Sequence, residues 1–314
     1  MIPSTPVLLS SHDVFANAYT CTPPAVSEIT FSSLFGWQTH FNYHSFTHND
    51  LLVVFYKEKE TYIFLPPLLL KGNLADDTFA ASFIDLAHTV DAAARAEQCA
   101  AVFRYMPTVY TCLLPTELLT IEPDRDSFDY VYLREDLANL PGQAYAPKRN
   151  LIHQCTNTGS VVYEEISERN LPAVQEFINC WHTIRRHELL GSAAHCLACR
   201  LTEHYTALGL VGGILRSGGT IVAATMGAIV ENFLYDDGPA STVIVHHENA
   251  LTTCKGSYQM INQQFCAHLP SSVRYVNREE DMGLPGLRKA KLSYQPARMV
   301  EKYTVTLKRQ TEKP

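Results

Sequence analysis

The stretch Val273-Arg274-Tyr275-Val276-Asn277-Arg278-Glu279-Glu280-Asp281-Met282-Gly283-Leu284-Pro285-Gly286-Leu287-Arg288-Lys289-Ala290-Lys291-Leu292-Ser293-Tyr294-Gln295-Pro296 decides how the rest of the chain is read. It opens as a short strand, in which Val273, Tyr275 and Asn277 alternate against Arg274, Val276 and Arg278. An acidic turn follows, then Gly-Leu-Pro-Gly, then a short helix carrying Arg288, Lys289 and Lys291 that Pro296 cannot continue. Acids at a strand end, with cations one turn later beside glycine backbone, suit a polar and partly anionic ligand. A solvated strand-to-helix turn would show the same residues, its surface ion pairs contributing about 0–1 kcal/mol each.

Outward from that stretch, 314 residues with 46% hydrophobic and 18% charged content describe two domains of ordinary size, or one large one, with ample core, not a disordered chain. No apolar run reaches the roughly 18 residues that span a bilayer. The start, Met1-Ile2-Pro3-Ser4-Thr5-Pro6, puts no basic segment ahead of Val7-Leu8-Leu9, so it does not read as a secretion signal. Nine scattered cysteines, an odd number, suit a reducing compartment, and the expected location is cytoplasmic. A net charge of −7 argues against a generalised nucleic-acid binder. Residues 274–309 nevertheless hold nine Lys and Arg against four acids, enough for a local phosphate-binding surface if they share a face.

The first 25 residues, rich in Ser, Thr and Pro, read as irregular. A short helix is expected from Glu28 to Trp37 with Ser27 as its cap. A hairpin follows, 51–56 and 61–65 around Lys57-Glu58-Lys59-Glu60. Next come a helix opened by Asp77 and running to about Glu97, then strands at 100–105, near Ile121, and at 128–133. Leu140 to Pro147 reads as a linker, which sets the expected domains at 1–143 and 144–314. After it the pattern predicts a strand at 161–165, helices at 171–186 and 194–208, and a hairpin of 213–216 with 220–227. A strand at 241–246, a helix at 258–268, the strand 273–277, a helix and a final strand 298–307 complete it. That element order, β-α-α-β-β-β-α-β-α-β, is the order of an acyltransferase fold of the GNAT type, and the first half looks like a worn copy.

The residues Tyr275 to Tyr294 closely resemble the C-terminal signature of the DUF2156 family, which is similar to the synthase domain of phosphatidylglycerol lysyltransferases. Phe31-Ser32-Ser33-Leu34-Phe35-Gly36-Trp37 looks like that family's N-terminal helix, and Pro147-Lys148-Arg149-Asn150-Leu151-Ile152 like its linker motif. Val245-His246-His247-Glu248-Asn249-Ala250 with Gly256-Ser257-Tyr258-Gln259 looks like its strand-to-helix segment. The resemblance runs from about residue 28 to 303. It implies an α/β (α+β) chain of two tandem GNAT-like domains, each a mixed, mostly antiparallel sheet flanked by helices, with the second carrying the site. It also implies kinship with enzymes that take an aminoacyl group from charged tRNA, here delivered to a small-molecule or lipid-headgroup acceptor. Asn249 stands where the family pattern has Lys.

Acyl transfer needs a deprotonated nucleophile and a polarised carbonyl held at near-attack distance. Glu279, Asp281, Glu248 and His246 are the candidate bases or amine-binding groups, and Tyr294 a candidate proton donor. Arg288, Lys289 and Lys291, with Arg278, Lys148, Arg149 and Asn277, are candidates for substrate or phosphate binding. No tightly bound cofactor is expected, the donor being aminoacyl-tRNA or, alternatively, acyl-coenzyme A. The segment Thr253-Cys254-Lys255-Gly256-Ser257 is a glycine-poor version of a pyrophosphate loop, which disfavours coenzyme A. A non-catalytic binding or regulatory module remains the alternative of a different class. No metal site is expected. His182, His187, His195, Cys196, Cys199 and His204 contain one Cys-x-x-Cys inside an amphipathic helix, read as core, and His40, His44 and His48 fall in an extended pattern.

Overall fold

The computed structural model describes residues 3–74, 76, 78–157, 160–185 and 191–308. Asp77, the end of the expected helix at Arg186, His187 and Arg309 lie outside the described residues. The chain divides into two units, residues 1–128 with 234–239 and 300–314, and residues 129–233 with 240–299.

In the first unit the strands are β1 (Thr5–Pro6), β2 (His44–His48), β3 (Leu51–Glu58), β4 (Thr61–Phe64), β5 (Leu68–Leu69), β6 (Ala100–Pro107) and β7 (Leu119–Pro123). Its helices are α1 (His12–Cys21), α2 (Phe31–Phe41), α3 (Thr78–Ala96) and α4 (Thr108–Thr111). The stretch expected to be irregular thus holds α1, because Phe15 and Ala18, three apart, bury one face of it despite the flanking prolines. Helix α2 starts later than expected: Ser27–Ile29 forms a 3-10 turn and Thr30 caps the α-helix. The hairpin of β3 and β4 is as read, and α3 lays Phe79, Phe83, Leu86 and Val90 into a core with Phe55, Phe64 and Phe103.

The second unit holds β8 (Asp129–Leu133), α5 (Arg134–Asn139), α6 (Ala146–Asn157), β9 (Val161–Glu165), α7 (Leu171–Arg185), α8 (Gly191–Glu203) and β10 (Val211–Ser217). The long hairpin of β11 (Thr220–Tyr235) and β12 (Gly238–Ala250) follows, then α9 (Ser257–His268), β13 (Tyr275–Asn277), α10 (Pro285–Leu292) and β14 (Arg298–Val300). The last strand, β15 (Lys302–Leu307), returns to the first unit's sheet. Where a linker was expected at 140–147, a turn gives way to α6 at Ala146. Pro147 is tolerated there because the first helical turn has no use for its missing N–H.

The two sheets share one strand order. The first runs β1-β2-β3-β4-β6-β15-β7, with β5 beside β3, and the second runs β9-β10-β11-β12-β13-β8-β14. Each contains a parallel pair, β4 with β6 and β12 with β13, and each pair is bridged by a helix, α3 or α9. The strand beside that pair comes from beyond the expected 143/144 boundary in both cases. In the first unit β15 lies between β6 and β7, its Val305 wholly buried, and in the second β8 pairs antiparallel with β13. Tandem GNAT-like architecture, two mixed sheets flanked by helices, is the result. Among the described residues, no helix is long and apolar enough to cross a membrane.

Candidate functional site

The parallel strands β12 and β13 pair only over Thr242–Tyr275, Val243–Val276 and Ile244–Asn277. Beyond Ile244, β12 continues to Ala250, while the chain after Asn277 parts from β12 and stays hydrogen-bonded to Tyr130 of β8 through the Arg278 N–H and the Glu279 carbonyl. Two side-chain pairs span the opened edge between them. His246 Nδ1 lies 2.9 Å from Glu279 Oε1, and Arg278 Nη2 donates to Glu248 Oε1 at 2.7 Å. Period two along β12 sets His246 and Glu248 on one face. The side chain of His246 is 1% exposed and that of Glu279 21%, so Glu279 is the member open to a ligand. Asn262 of α9 also donates to Glu248.

Arg278 is half-buried beside two aromatic rings, its guanidinium 5.0 Å from the centre of Tyr294 and 5.9 Å from that of Tyr132. Tyr294 is also faced by the Lys148 ammonium at 4.2 Å, and Lys148 Nζ donates to Ser293 Oγ at 2.6 Å. Burial, reinforced by Arg278, lowers the Lys148 pKa. Burial pushes the Tyr294 phenol far up, Arg278 opposing it, so the phenol keeps its proton at neutral pH.

The loop after β13 is held in shape by buried polar groups. Asn277, fully buried, donates to Asp129 at 2.9 Å and accepts the Glu279 N–H at 2.8 Å. Glu279 and Met282 take left-handed backbone, φ 56° and 52°, uncommon for residues with side chains. Asp281, fully buried, accepts from Tyr130 Oη at 2.5 Å, from Arg288 Nε and Nη2 at 2.8 and 2.9 Å, and from the Gly283 N–H at 2.9 Å. Burial alone would raise its pKa, but Arg288, Tyr130 and the Gly283 N–H together hold it at about 2. Lys291 turns inward on α10, donating to the carbonyls of Arg278 and Glu279. Burial, with Arg278 beside it, brings its pKa down to about 8.

Ten of the twelve candidate side chains therefore gather in one neighbourhood of the second unit. Lys289 and Arg149 stand apart. Lys289 is exposed. Arg149 donates to the carbonyls of Leu140 and Gly142, which fastens the turn ahead of α6. Among the described residues, the basic residues of 274–308 do not form one surface: Lys302 is fully buried in the first unit on Glu28, while in the second Lys291 is buried and Arg278 half-buried. Reading the sequence missed Tyr130, Tyr132, Asp129 and Asn262, which reach this neighbourhood from elements distant in the chain.

The glycine-poor segment is built for packing. Gly256, φ 92°, caps α9, and a Cβ placed on it would lie 2.0 Å from the Leu151 carbonyl oxygen of α6. Ser257, the first residue of α9, is 1% exposed. On the other face of β12, Asn249 Nδ2 lies 3.3 Å from His247 Nε2, and burial brings the His247 pKa down to about 4. The helical cysteine pair is less internal than read. Leu197, Ala198 and Leu201 form the buried face of α8, leaving Cys196 exposed and Cys199 half-buried against Gln175.

The profile of the family described as phosphatidylglycerol lysyltransferase, C-terminal, matches residues 21–306. The chain belongs to that family. No curated protein matches it. Among solved structures, a conserved protein of unknown function from Bacteroides thetaiotaomicron VPI-5482 is 31% identical over 98% of this chain and 100% of that one, with a TM-score of 0.82. The L-PGS structure from Bacillus licheniformis has a TM-score of 0.60 at 13% identity, over 96% of this chain and 93% of that one. A C-terminal DUF2156 domain from Agrobacterium fabrum, described as that of a lysylphosphatidylglycerol synthetase, has 0.61 at 11%, over 96% and 94%. The last two likenesses establish the family's fold in this chain.

Proposed function

We propose that this chain is a transferase that moves an aminoacyl group from charged tRNA onto an amine or hydroxyl acceptor, a lipid headgroup being one such acceptor. The observation that carries the reading is the opened edge of β12 and β13, where Glu279 stands toward solvent with His246 behind it. Glu279 takes the proton of the attacking N–H or O–H, and His246 holds the carboxylate in place. The acceptor then bonds to the acyl carbon, the ester bond to the tRNA ribose breaks, and the departing ribose oxygen takes up a proton. Tyr294, a phenol that stays protonated at neutral pH, supplies that proton at the same edge. Lys289, exposed on α10, contributes to phosphate binding.

An aminoacyl ester fits better than coenzyme A because the N-terminus of α9 is covered by α6. With Ser257 buried and Gly256 against Leu151, its N–H groups do not form an open pyrophosphate cradle. Membership of the family supports the same donor.

The test is direct binding of charged tRNA and of acetyl-coenzyme A to the purified chain at two salt concentrations. Binding of charged tRNA that weakens with salt, and none of coenzyme A, is the expected result. Coenzyme A binding alone would replace the reading with acyl-coenzyme A transfer. Binding of neither would leave a non-catalytic module.

A further inference from the structure

Two buried thiols of the second unit meet on elements next to the site. Cys155 lies near the end of α6 and is wholly buried, and Cys254 lies in the turn between β12 and α9 and is 9% exposed. Their sulfurs are 3.2 Å apart. That is within the reach of a small side-chain movement of a sulfur–sulfur bond, which is about 2.05 Å. The backbones at this point are already pressed together. A Cβ on Gly256 would lie 2.6 Å from the Leu151 carbonyl carbon and 3.3 Å from Cys155 Cβ. The same helix carries Lys148, whose ammonium holds Ser293 and faces Tyr294.

We propose that Cys155 and Cys254 form a reversible disulfide that fastens α6 to the turn leading into α9. The oxidant is a small peroxide, hydrogen peroxide in the simplest case. Cys254, the sulfur nearer the surface, attacks one peroxide oxygen; the O–O bond breaks, one water leaves, and Cys254 becomes a sulfenic acid. Cys155 then attacks the Cys254 sulfur. The S–S bond forms, the S–O bond breaks and a second water leaves. Two thiols are oxidised, one peroxide is reduced to two waters, and both thiol protons end in those waters. A dithiol reductant reverses the step. Burial and the neighbouring sulfur push the Cys155 thiol up to about 12, which leaves the first attack to the more exposed Cys254, and the 3.2 Å separation brings Cys155 to the oxidised sulfur for the second. Because α6 also bears Lys148, the bond ties the position of that ammonium to the oxidation state.

The test uses the full chain with the exposed Cys112, Cys180 and Cys196 changed to Ser, treated with hydrogen peroxide and digested without reductant. The expected result is a cross-linked peptide joining Cys155 and Cys254, lost on dithiothreitol. Backbone hydrogen exchange over residues 146–157 and 251–256 should slow in the oxidised form and recover on reduction. Cys254→Ser, and independently Cys155→Ala should Cys254→Ser fail to fold, abolishes both effects. A sulfenic acid trapped at Cys254 with no cross-link, a cross-link from either residue to another cysteine, or unchanged exchange in the cross-linked form would overturn the proposal.

Discussion

Arg288 grips Asp281 through two parallel hydrogen bonds, Nε to Oδ2 at 2.8 Å and Nη2 to Oδ1 at 2.9 Å, across the turn that enters α10. The carboxylate is fully buried and the guanidinium side chain about one-third exposed, 34%. A pair of this kind fixes the 278–284 loop, and with it the backbone from which Glu279 projects.

Breaking that pair leaves the buried Asp281 carboxylate without its cation, held only by neutral donors such as Tyr130 and the Gly283 N–H. Arg288→Ala is expected to destabilise the chain by about 3–5 kcal/mol, measured by urea unfolding. Arg288→Ala should also slow transfer, because the loop that presents Glu279 loses its anchor. Arg288→Lys, which keeps the charge and loses the parallel geometry, should fall between the parent and Arg288→Ala.

The same pair sets an acid limit. Asp281 titrates at about 2 in the folded chain, against about 3.9 when unfolded. The folded pKa is depressed, so the stabilisation is complete above the unfolded value and is lost as pH falls through about 4 to 2. Asp281→Asn should be less stable than the parent at neutral pH, and the gap should narrow across that window.

Lys291 gives a slope of the same sign at high pH. Its folded pKa of about 8 lies below the unfolded value of about 10.4, so the unfolded chain binds more protons between them. Stability attributable to Lys291 therefore rises as pH climbs from about 8 to 10. The difference in melting temperature between the parent and Lys291→Met, followed over that range, reads it. A flat difference would count against the burial of this ammonium.

Gly256→Ala should cost about 1–3 kcal/mol for the forced contact with Leu151, and its left-handed backbone adds about 1–2 kcal/mol. Gly218→Ala, also left-handed at φ 55° but with nothing within 4 Å of its added Cβ, isolates the backbone part. Urea midpoints of the two variants separate the contributions.

Glu279→Gln should keep the fold and lower the transfer rate about 10²–10⁴-fold, the usual contribution of a positioned base. Single-turnover transfer from charged tRNA measures it. Charged-tRNA affinity should change little, because the carboxylate acts on the acceptor.

The second unit's element order was legible because its periods are clean: strands 161–165 and 220–227, the helix 258–268 and the signature at 275–294 all fall where the pattern puts them. Helix α1 was not, because prolines and hydroxyl residues on either side mask a two-residue apolar face. Nor was the destination of β8 and β15, since any apolar strand satisfies a local pattern and only a partner's edge decides its sheet. For the site, the sequence brought forward the side chains but not their directions. Lys289 and Lys291 are two apart on one helix, and one is exposed while the other caps buried carbonyls. Asp281 meets Tyr130 across a separation of 151 residues, which leaves no trace in either local neighbourhood.

The place of β15 also bears on the order in which this protein can be made. Synthesis supplies β1 to β7 early, yet the gap between β6 and β7 is filled only by residues 302–307. Until those emerge from the ribosome, two sheet edges stand open and Val305 is missing from the core, the condition in which nascent chains pair wrongly. The second unit has its β8 waiting long before β13 arrives. A message truncated just before the codon for Lys302 would thus encode every residue of the candidate site and still leave the earlier-made unit of the polypeptide unfinished, a substrate for chaperones and proteases.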